Sequence, residues 1–156
     1  MKPASVSEIK KELEARSHLQ LVSFCLRLTK YKKENKELLN FLLFEADDIF
    51  TYIESVKQET TALFDGINRA SIYYTKKSVR KILRYINKHI RITASKQAEV
   101  EILIHFCNSI IDFSIPVHKN KLLLKMYEMQ LKKIDDSILT LHPDLQYDLK
   151  KQLKHI

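Results

Sequence analysis

The sequence contains very little glycine and proline, with one Gly and three Pro in 156 residues. Tight β-turns depend on Gly, Asn and Asp at positions with positive φ, so a chain with a single Gly is a poor candidate for a β-rich fold. The lone Gly66 also cannot complete either phosphate-cradling motif, GxxxxGK[ST] or GxGxxG. The composition therefore predicts an all-α protein and excludes nucleotide binding through either of those loops.

Cysteines and long apolar runs are also scarce. Cys25 and Cys107 both stand among apolar residues, and the chain opens without the apolar segment of a signal peptide. We therefore expect two buried, reduced thiols in a cytoplasmic protein. The longest uncharged run in the most apolar region is residues 102–111, whereas a bilayer span needs about twenty residues. The sequence thus predicts no transmembrane segment.

Motifs for metal binding and catalysis are missing as well, including HExxH, CxxC and GxSxG. The nearest approach to such a cluster is Glu101 with His105, one helical turn apart, while Cys107 points to another side of the same helix. Because two ligands do not hold zinc, we expect Glu101 and His105 to form a hydrogen-bonded pair at the helix edge. The sequence predicts no metal, no cofactor and no enzymatic activity.

Acidic residues are absent from residues 66–98. Of the 27 basic residues in the chain, nine lie in this stretch and 18 lie elsewhere, where they are balanced by 19 acidic residues. The formal net charge of +8 therefore arises from this one stretch. Its basic residues are Arg69, Lys76, Lys77, Arg80, Lys81, Arg84, Lys88, Arg91 and Lys96.

Residues 70–93 are predicted to form a basic amphipathic helix. At about 100° per residue, the apolar residues of this helix fall within an arc of about 100°, which is the width of a core-facing stripe. That predicted apolar stripe consists of Ile72, Val79, Ile82, Leu83, Ile86 and Ile90. An adjoining arc holds seven cations around Tyr73, with Tyr74 and Tyr85 at its edge. We call this candidate binding surface the basic face: Lys76, Lys77, Arg80, Lys81, Arg84, Lys88, Arg91 and Tyr73.

Four interpretations of the basic face are open from the sequence. The favoured one is a non-enzymatic helical module that binds an acidic protein partner. The alternative is sequence-independent nucleic-acid binding, in which the cations contact phosphates and the tyrosines stack on bases. The remaining two are contact with an anionic membrane surface and a solvated charged face without a ligand.

The first two helices carry a clear start signal. Ser5 with Glu8 and Ser17 with Gln20 have the spacing of a capping box. They predict helices that begin one residue after each serine. The second of these, residues 18–30, is apolar on most sides, so we expect it to lie at the centre of the packing.

Further helices are predicted along the rest of the chain. They span residues 35–44 with Asn35 as the N-cap, 46–67, 96–113 and 119–141, and a short last helix opens near Pro143. Apolar residues recur in alternating steps of three and four in the two longest of these, as expected for helices packed nearly parallel to a neighbour. The pattern predicts one domain over residues 1–156, an antiparallel bundle of seven or eight helices.

The opening of the chain, residues 6–13 (VSEIKKEL) and 19–39, resembles small all-helical bacterial proteins to which no activity is assigned. The shared pattern is a short capped helix, an apolar helix and the Lys-rich connector KYKKEN at residues 30–35. This resemblance implies an all-α fold and a bacterial cytoplasmic origin, and it transfers no site residues.

Overall fold

The computed structural model describes residues 2–154. Residue 1 and residues 155–156, which the predicted domain also included, lie outside the described range. Within that range the chain forms eight α-helices and two short 3₁₀ turns, Ala46–Asp48 and Val117–Lys119, and no strand. The prediction of an all-α bundle of seven or eight helices is confirmed. The helices are α1 (Val6–Glu14), α2 (His18–Tyr31), α3 (Lys33–Phe44), α4 (Ile49–Asp65), α5 (Ile72–Thr93), α6 (Lys96–Asp112), α7 (Lys121–Ile138) and α8 (Pro143–Gln152).

Contacts between residues divide the chain into two compact units. The first unit is residues 1–44 and holds α1, α2 and α3. The second is residues 45–156 and holds α4 to α8. The single domain expected from the sequence stays a prediction.

Both predicted capping boxes in the first unit are formed. The Ser5 hydroxyl accepts from the Glu8 N–H at 3.3 Å, while the Glu8 carboxylate accepts from the Ser5 N–H at 2.7 Å. Ser17 and Gln20 repeat the arrangement at 3.3 and 3.0 Å. Each box satisfies two of the backbone groups that a helix leaves unpaired at its start. The residues of each capping box therefore determine where α1 and α2 begin.

The predicted N-cap at Asn35 is wrong. Lys32 is extended, with φ −143° and ψ 145°, and α3 begins directly after it at Lys33. Asn35 lies inside α3, where its side-chain amide donates to the Leu28 carbonyl at 2.8 Å. That carbonyl belongs to the last turn of α2, whose C=O groups have no partner within the helix. The Asn35 side chain therefore caps the C-terminus of α2 and not the N-terminus of α3.

The expected burial of α2 is also wrong. Within residues 2–44 only Phe41 is buried, and Leu19 at the start of α2 is 79% exposed. Cys25 is exposed, contrary to the prediction of a buried thiol, whereas Cys107 in the second unit is buried as predicted. A helix that is apolar on most sides needs neighbours all round, and the first unit offers only two other helices.

The second unit is built around α6. This helix contacts α4, α5, α7 and α8, and it contributes nine buried residues to the core. The helix predicted over residues 96–113 is confirmed to within one residue, since α6 ends at Asp112. Ser95 caps it, because its hydroxyl accepts from the Ala98 N–H at 3.3 Å. Phe64 of α4 packs against Phe106 of α6, with ring centroids 5.6 Å apart. Connections of two to eight residues join the helices of this unit, as in an antiparallel bundle.

The first residues of α4, α7 and α8 are set by capping side chains or by proline. Residues 46–48 form a 3₁₀ turn instead of the first turn of the predicted helix. Asp48 caps α4 by accepting from the Thr51 N–H at 3.1 Å. Hydrogen bonding to the Thr51 side chain, followed by that to this N–H, lowers the pKa of the Asp48 carboxyl. Asn120 caps α7, and Pro143 occupies the first turn of α8. The helix predicted over residues 119–141 is therefore shorter at both ends.

Ala94, which ends α5, has a left-handed backbone conformation with φ 48° and ψ 26°. Its N–H still donates to the Ile90 carbonyl at 3.2 Å. An L-residue with a Cβ is strained in this region, whereas glycine is not. We expect Ala94→Gly to raise the free energy of unfolding by about 0.5–1 kcal/mol, measured by urea denaturation.

The matched control is Ala62→Gly, since Ala62 is exposed inside α4. This change should lower the free energy of unfolding by about 1 kcal/mol. If both variants lose stability equally, Ala94 does not have the left-handed conformation in solution.

Candidate anion-binding face of the fifth helix

The basic stretch forms one uninterrupted helix, α5. It begins at Ile72, two residues later than predicted, because the Ser71 hydroxyl accepts from the Tyr74 N–H at 3.4 Å and caps it there. Ile72 was expected in the apolar stripe but is 37% exposed, since it stands in the first turn beside the preceding loop. The predicted end at residue 93 is confirmed.

The remaining apolar stripe of α5 faces the core of the second unit. Val79, Ile82 and Ile86 are buried, with 0–2% exposure, and α5 packs against α4 and α6. Leu83 and Ile90 are partly buried against the same core. This packing fixes which way the rest of the helix points.

The basic face lies on the side of α5 away from the stripe. Tyr73 is 59% exposed, while Lys76 and Lys88 are half-buried. The other five members of the basic face are exposed: Lys77, Arg80, Lys81, Arg84 and Arg91. The rotation of the helix thus presents most of the predicted residues to solvent.

Most of these cations have no acidic partner. Within residues 2–154, Lys88 has an interaction of its own, and the ion pairs involve none of the following: Lys76, Lys77, Arg80, Lys81, Arg84 and Arg91. Arg91 directs its Nε to the Asn87 carbonyl at 3.4 Å, and Lys76 Nζ lies 5.9 Å from the centroid of the Tyr73 ring. We call the following five the unpaired cations: Lys76, Lys77, Arg80, Lys81 and Arg84.

Four carboxylates were candidates from the sequence to cover the basic face, Glu12, Glu14, Glu45 and Glu54, and three of them pair with other cations. Glu54 accepts from Lys57 at 2.7 Å on its own helix. Within α1 and the residues that follow it, Glu12 pairs with Arg16 at 2.8 Å and Glu14 with Lys10 at 3.8 Å. These three carboxylates therefore do not neutralise the unpaired cations.

A groove of about 510 Å³ runs along this side of α5. It is lined by Tyr73, Lys76, Lys77, Arg80, Leu83, Arg84 and Asn87. The sequence interpretation missed Leu83 as part of this surface, because it assigned that residue wholly to the buried stripe, and missed Asn87 because it carries no charge. A signal for both was present, since they continue the three-and-four spacing that begins at Tyr73.

The three tyrosines near the basic face differ in accessibility. Tyr73 and Tyr74 are exposed, and their rings meet edge to face with centroids 5.3 Å apart. Tyr85 instead packs against His89 at 4.4 Å and is partly buried. Burial, with a smaller effect of Glu59, raises the pKa of Tyr85 to about 12. His89 Nδ1 lies 2.6 Å from the Tyr52 hydroxyl, so only Tyr73 and Tyr74 are placed to contact a ligand.

The other candidate cluster, Glu101 with His105, does not form the expected pair. The Glu101 carboxylate accepts from Lys57 at 3.0 Å and from Gln97 at 2.9 Å. His105 Nε2 lies 2.9 Å from the Thr61 hydroxyl, and burial, followed by the nearby Lys57, lowers the pKa of His105. Both side chains therefore connect α6 to α4, which is a structural role.

Other reactive groups show no arrangement for chemistry. Burial raises the pKa of the Cys107 thiol to about 12, so at neutral pH this thiol is not a nucleophile. In the part of the chain that the structure describes, no three His, Cys, Asp or Glu side chains are grouped as a metal site would require. The basic face is accordingly the best-defined candidate site.

Comparison with protein-family models, curated proteins and solved structures finds no match for this chain. The bacterial origin implied by the opening residues stays a prediction. None of the helices within residues 2–154 combines the length and the apolar character that a bilayer span requires.

Proposed function

We propose that the protein is a non-enzymatic helical module that binds an acidic segment of a protein partner in the groove along α5. The observation that carries this proposal is that four of the five unpaired cations line that groove: Lys76, Lys77, Arg80 and Arg84. A cation without an acidic neighbour keeps its full attraction for a ligand, whereas a paired one must first give up its partner.

Repulsion within α5 supports a ligand of opposite charge. Lys76 and Arg80, Lys77 and Lys81, and Arg80 and Arg84 are each one turn apart, and each such like-charge pair costs about 0.2–0.5 kcal/mol. Carboxylates placed over the groove would convert this repulsion into attraction. The cations therefore favour complex formation over the free state.

The lining of the groove indicates an amphipathic partner. Leu83, which is partly buried, and the ring of Tyr73 give an apolar surface between the cations. From Tyr73 to Asn87 the groove spans 14 residue steps, which is about 21 Å of helix. An acidic helix of about four turns would match that length and place apolar side chains in the groove, a common mode of peptide recognition.

Single-stranded nucleic acid is the second candidate, and the exposed rings of Tyr73 and Tyr74 favour it. Aromatic side chains beside a cationic groove allow bases to stack while phosphates contact Lys and Arg. Contact would be independent of sequence, since α5 follows a helix of 17 residues rather than the short partner helix of a helix-turn-helix.

The test compares two fluorescent probes by anisotropy. One is a peptide of about 20 residues with Leu and Glu on opposite faces, and the other is an oligo(dT) strand of about 20 nucleotides. Both are titrated with the wild-type protein and with the triple variant Lys77→Glu, Arg80→Glu, Arg84→Glu. We expect the triple variant to bind the peptide about 100-fold more weakly, since three attractive contacts become repulsive.

The matched control reverses three exposed lysines of α7, Lys125, Lys132 and Lys133. It changes the net charge equally and should alter the affinity for the peptide by less than about threefold. The triple variant should also keep its helical circular dichroism, because each introduced carboxylate lies one turn from a remaining cation, Lys76, Lys81 or Lys88.

The outcomes separate the two candidates. If oligo(dT) binds more tightly than the peptide and log K falls with log salt at a slope of about −3, four phosphates are neutralised and nucleic acid is the ligand. If neither probe binds at low salt, or if the triple variant binds as wild type does, the groove on α5 is not a binding site.

A further inference from the structure

The first unit exposes far more apolar surface than the second. Leu19, Val22 and Leu26 of α2 are 79%, 43% and 54% exposed. They recur at i, i+3 and i+7, which places them within about 60° of one another on the helix. An outward apolar stripe of this kind on a helix is not explained by packing within the unit.

The apolar surface continues from α2 onto α3. Cys25 and Thr29, the next residues around α2, line a groove of about 180 Å³ between the two helices. Leu38 and Leu42 line the α3 side of this groove and are themselves 41% and 57% exposed. The stripe and the groove together form one apolar surface on the α2–α3 pair.

The charges around this surface all have one sign along α2. Residues 15–33 contain no Asp or Glu and five basic residues, each of them exposed. Arg16 pairs with Glu12 of α1 and Lys33 with Glu37 of α3, which leaves Arg27, Lys30 and Lys32. Lys30 and Lys32 flank the exposed ring of Tyr31, and Lys32 Nζ lies 6.0 Å from the centroid of that ring. Lys and aromatic residues at the end of an apolar helix are typical of segments that lie in a membrane interface.

We infer that the α2–α3 surface binds peripherally to an anionic membrane surface, with Leu19, Val22 and Leu26 entering the headgroup region. The apolar stripe projects outward from α2, which suits a broad interface better than a single groove occupied by a partner helix. A second copy of the chain would bring the same three cations, Arg27, Lys30 and Lys32, and like charges would oppose that contact. Cations at the rim of the stripe would instead meet anionic headgroups.

The test is sedimentation of the full chain with vesicles. Vesicles of phosphatidylcholine alone are compared with vesicles containing about one-third phosphatidylserine. We expect at least about tenfold more bound protein on the anionic vesicles, reduced by about 0.5 M NaCl because salt screens the headgroup charge.

Two double variants test whether the α2–α3 surface is the part of the protein that binds the vesicles. Leu19→Gln with Leu26→Gln should reduce bound protein at least about tenfold, because both apolar contacts are lost. Leu122→Gln with Leu139→Gln is the matched control, since both leucines are exposed in the second unit. The control should sediment as wild type does.

A local probe distinguishes this surface from the basic face of α5. Cys25 is the only exposed cysteine and lines the α2–α3 groove, so a polarity-sensitive fluorophore on its thiol reports contact there. Its emission should shift to the blue on anionic vesicles, and the shift should persist in the Lys77→Glu, Arg80→Glu, Arg84→Glu variant.

Three results would overturn the inference. The first is equal sedimentation of wild type and the Leu19→Gln, Leu26→Gln variant. The second is a dimer by analytical ultracentrifugation that this variant abolishes, which would make a second copy the occupant. The third is a blue shift caused by the acidic amphipathic peptide but not by anionic vesicles, which would make a protein the occupant.

Discussion

Replacing Phe106 with Ala is expected to lower the free energy of unfolding of the protein by about 3–5 kcal/mol. Phe106 is fully buried on α6, where its ring packs on the fully buried Phe64 of α4. Phe64 in turn stacks on Phe113 at a centroid distance of 5.7 Å. Truncation removes one of the two rings that pack on Phe64 and leaves a cavity that a close-packed interior cannot fill.

Thermal and urea unfolding measure this effect. A loss of 3 kcal/mol corresponds to a fall in melting temperature of about 6–12 °C for a chain of this length. The matched control is Phe50→Ala, because Phe50 of α4 is 66% exposed and its removal should change stability by less than about 0.5 kcal/mol. A similar loss in both variants would mean that α4 and α6 do not pack through Phe106.

Replacing Glu101 with Ala is expected to cost about 1–3 kcal/mol, because it leaves the Lys57 ammonium with one carboxylate instead of two. The side chains of Lys57 and Glu101 are 18% and 11% exposed, and their charged atoms lie 3.0 Å apart. The second partner, Glu54, remains at 2.7 Å. Since water reaches Lys57 only poorly, solvation replaces the lost carboxylate incompletely.

A double-mutant cycle isolates this interaction. Lys57→Met and Glu101→Gln are measured singly and together by urea denaturation, and we expect a coupling energy of about 1–2 kcal/mol. The same cycle on Lys96 and Glu99 is the control, since Lys96 is 59% exposed and exposed pairs contribute less than about 1 kcal/mol. A coupling no larger than the control would show that Lys57 and Glu101 are solvated independently.

Local signals in the sequence were sufficient to predict that the helices exist, and in α1 and α2 also where they begin. A capping box such as Ser5 with Glu8 involves four consecutive residues, so its outcome does not depend on the rest of the fold. The rotation of α5 was predictable for the same reason, since Val79, Ile82 and Ile86 are numerous enough on one side to force that side inward. The basic face follows directly from that rotation.

Features that depend on distant residues were not predictable. Asn35 caps α2 by donating to a carbonyl seven residues earlier. Glu101 accepts a hydrogen bond from Lys57, which lies 44 residues away in sequence. Neither partner can be identified from spacing along one helix. The exposure of Cys25 likewise depends on how many helices surround α2, whereas its apolar neighbours in sequence indicate only that burial would be favourable.

The packing of α5 on α4 and α6 has a consequence for recognition. Because Val79, Ile82 and Ile86 anchor the helix along its length, its backbone is ordered before any ligand arrives. The proposed partner would then bind with little free-energy cost for backbone ordering in this protein, and the entropic penalty would fall on the Lys and Arg side chains and on the partner itself. Affinity at the groove should therefore vary with how rigid the incoming segment is, so that a preformed acidic helix associates more tightly than a disordered one of equal charge.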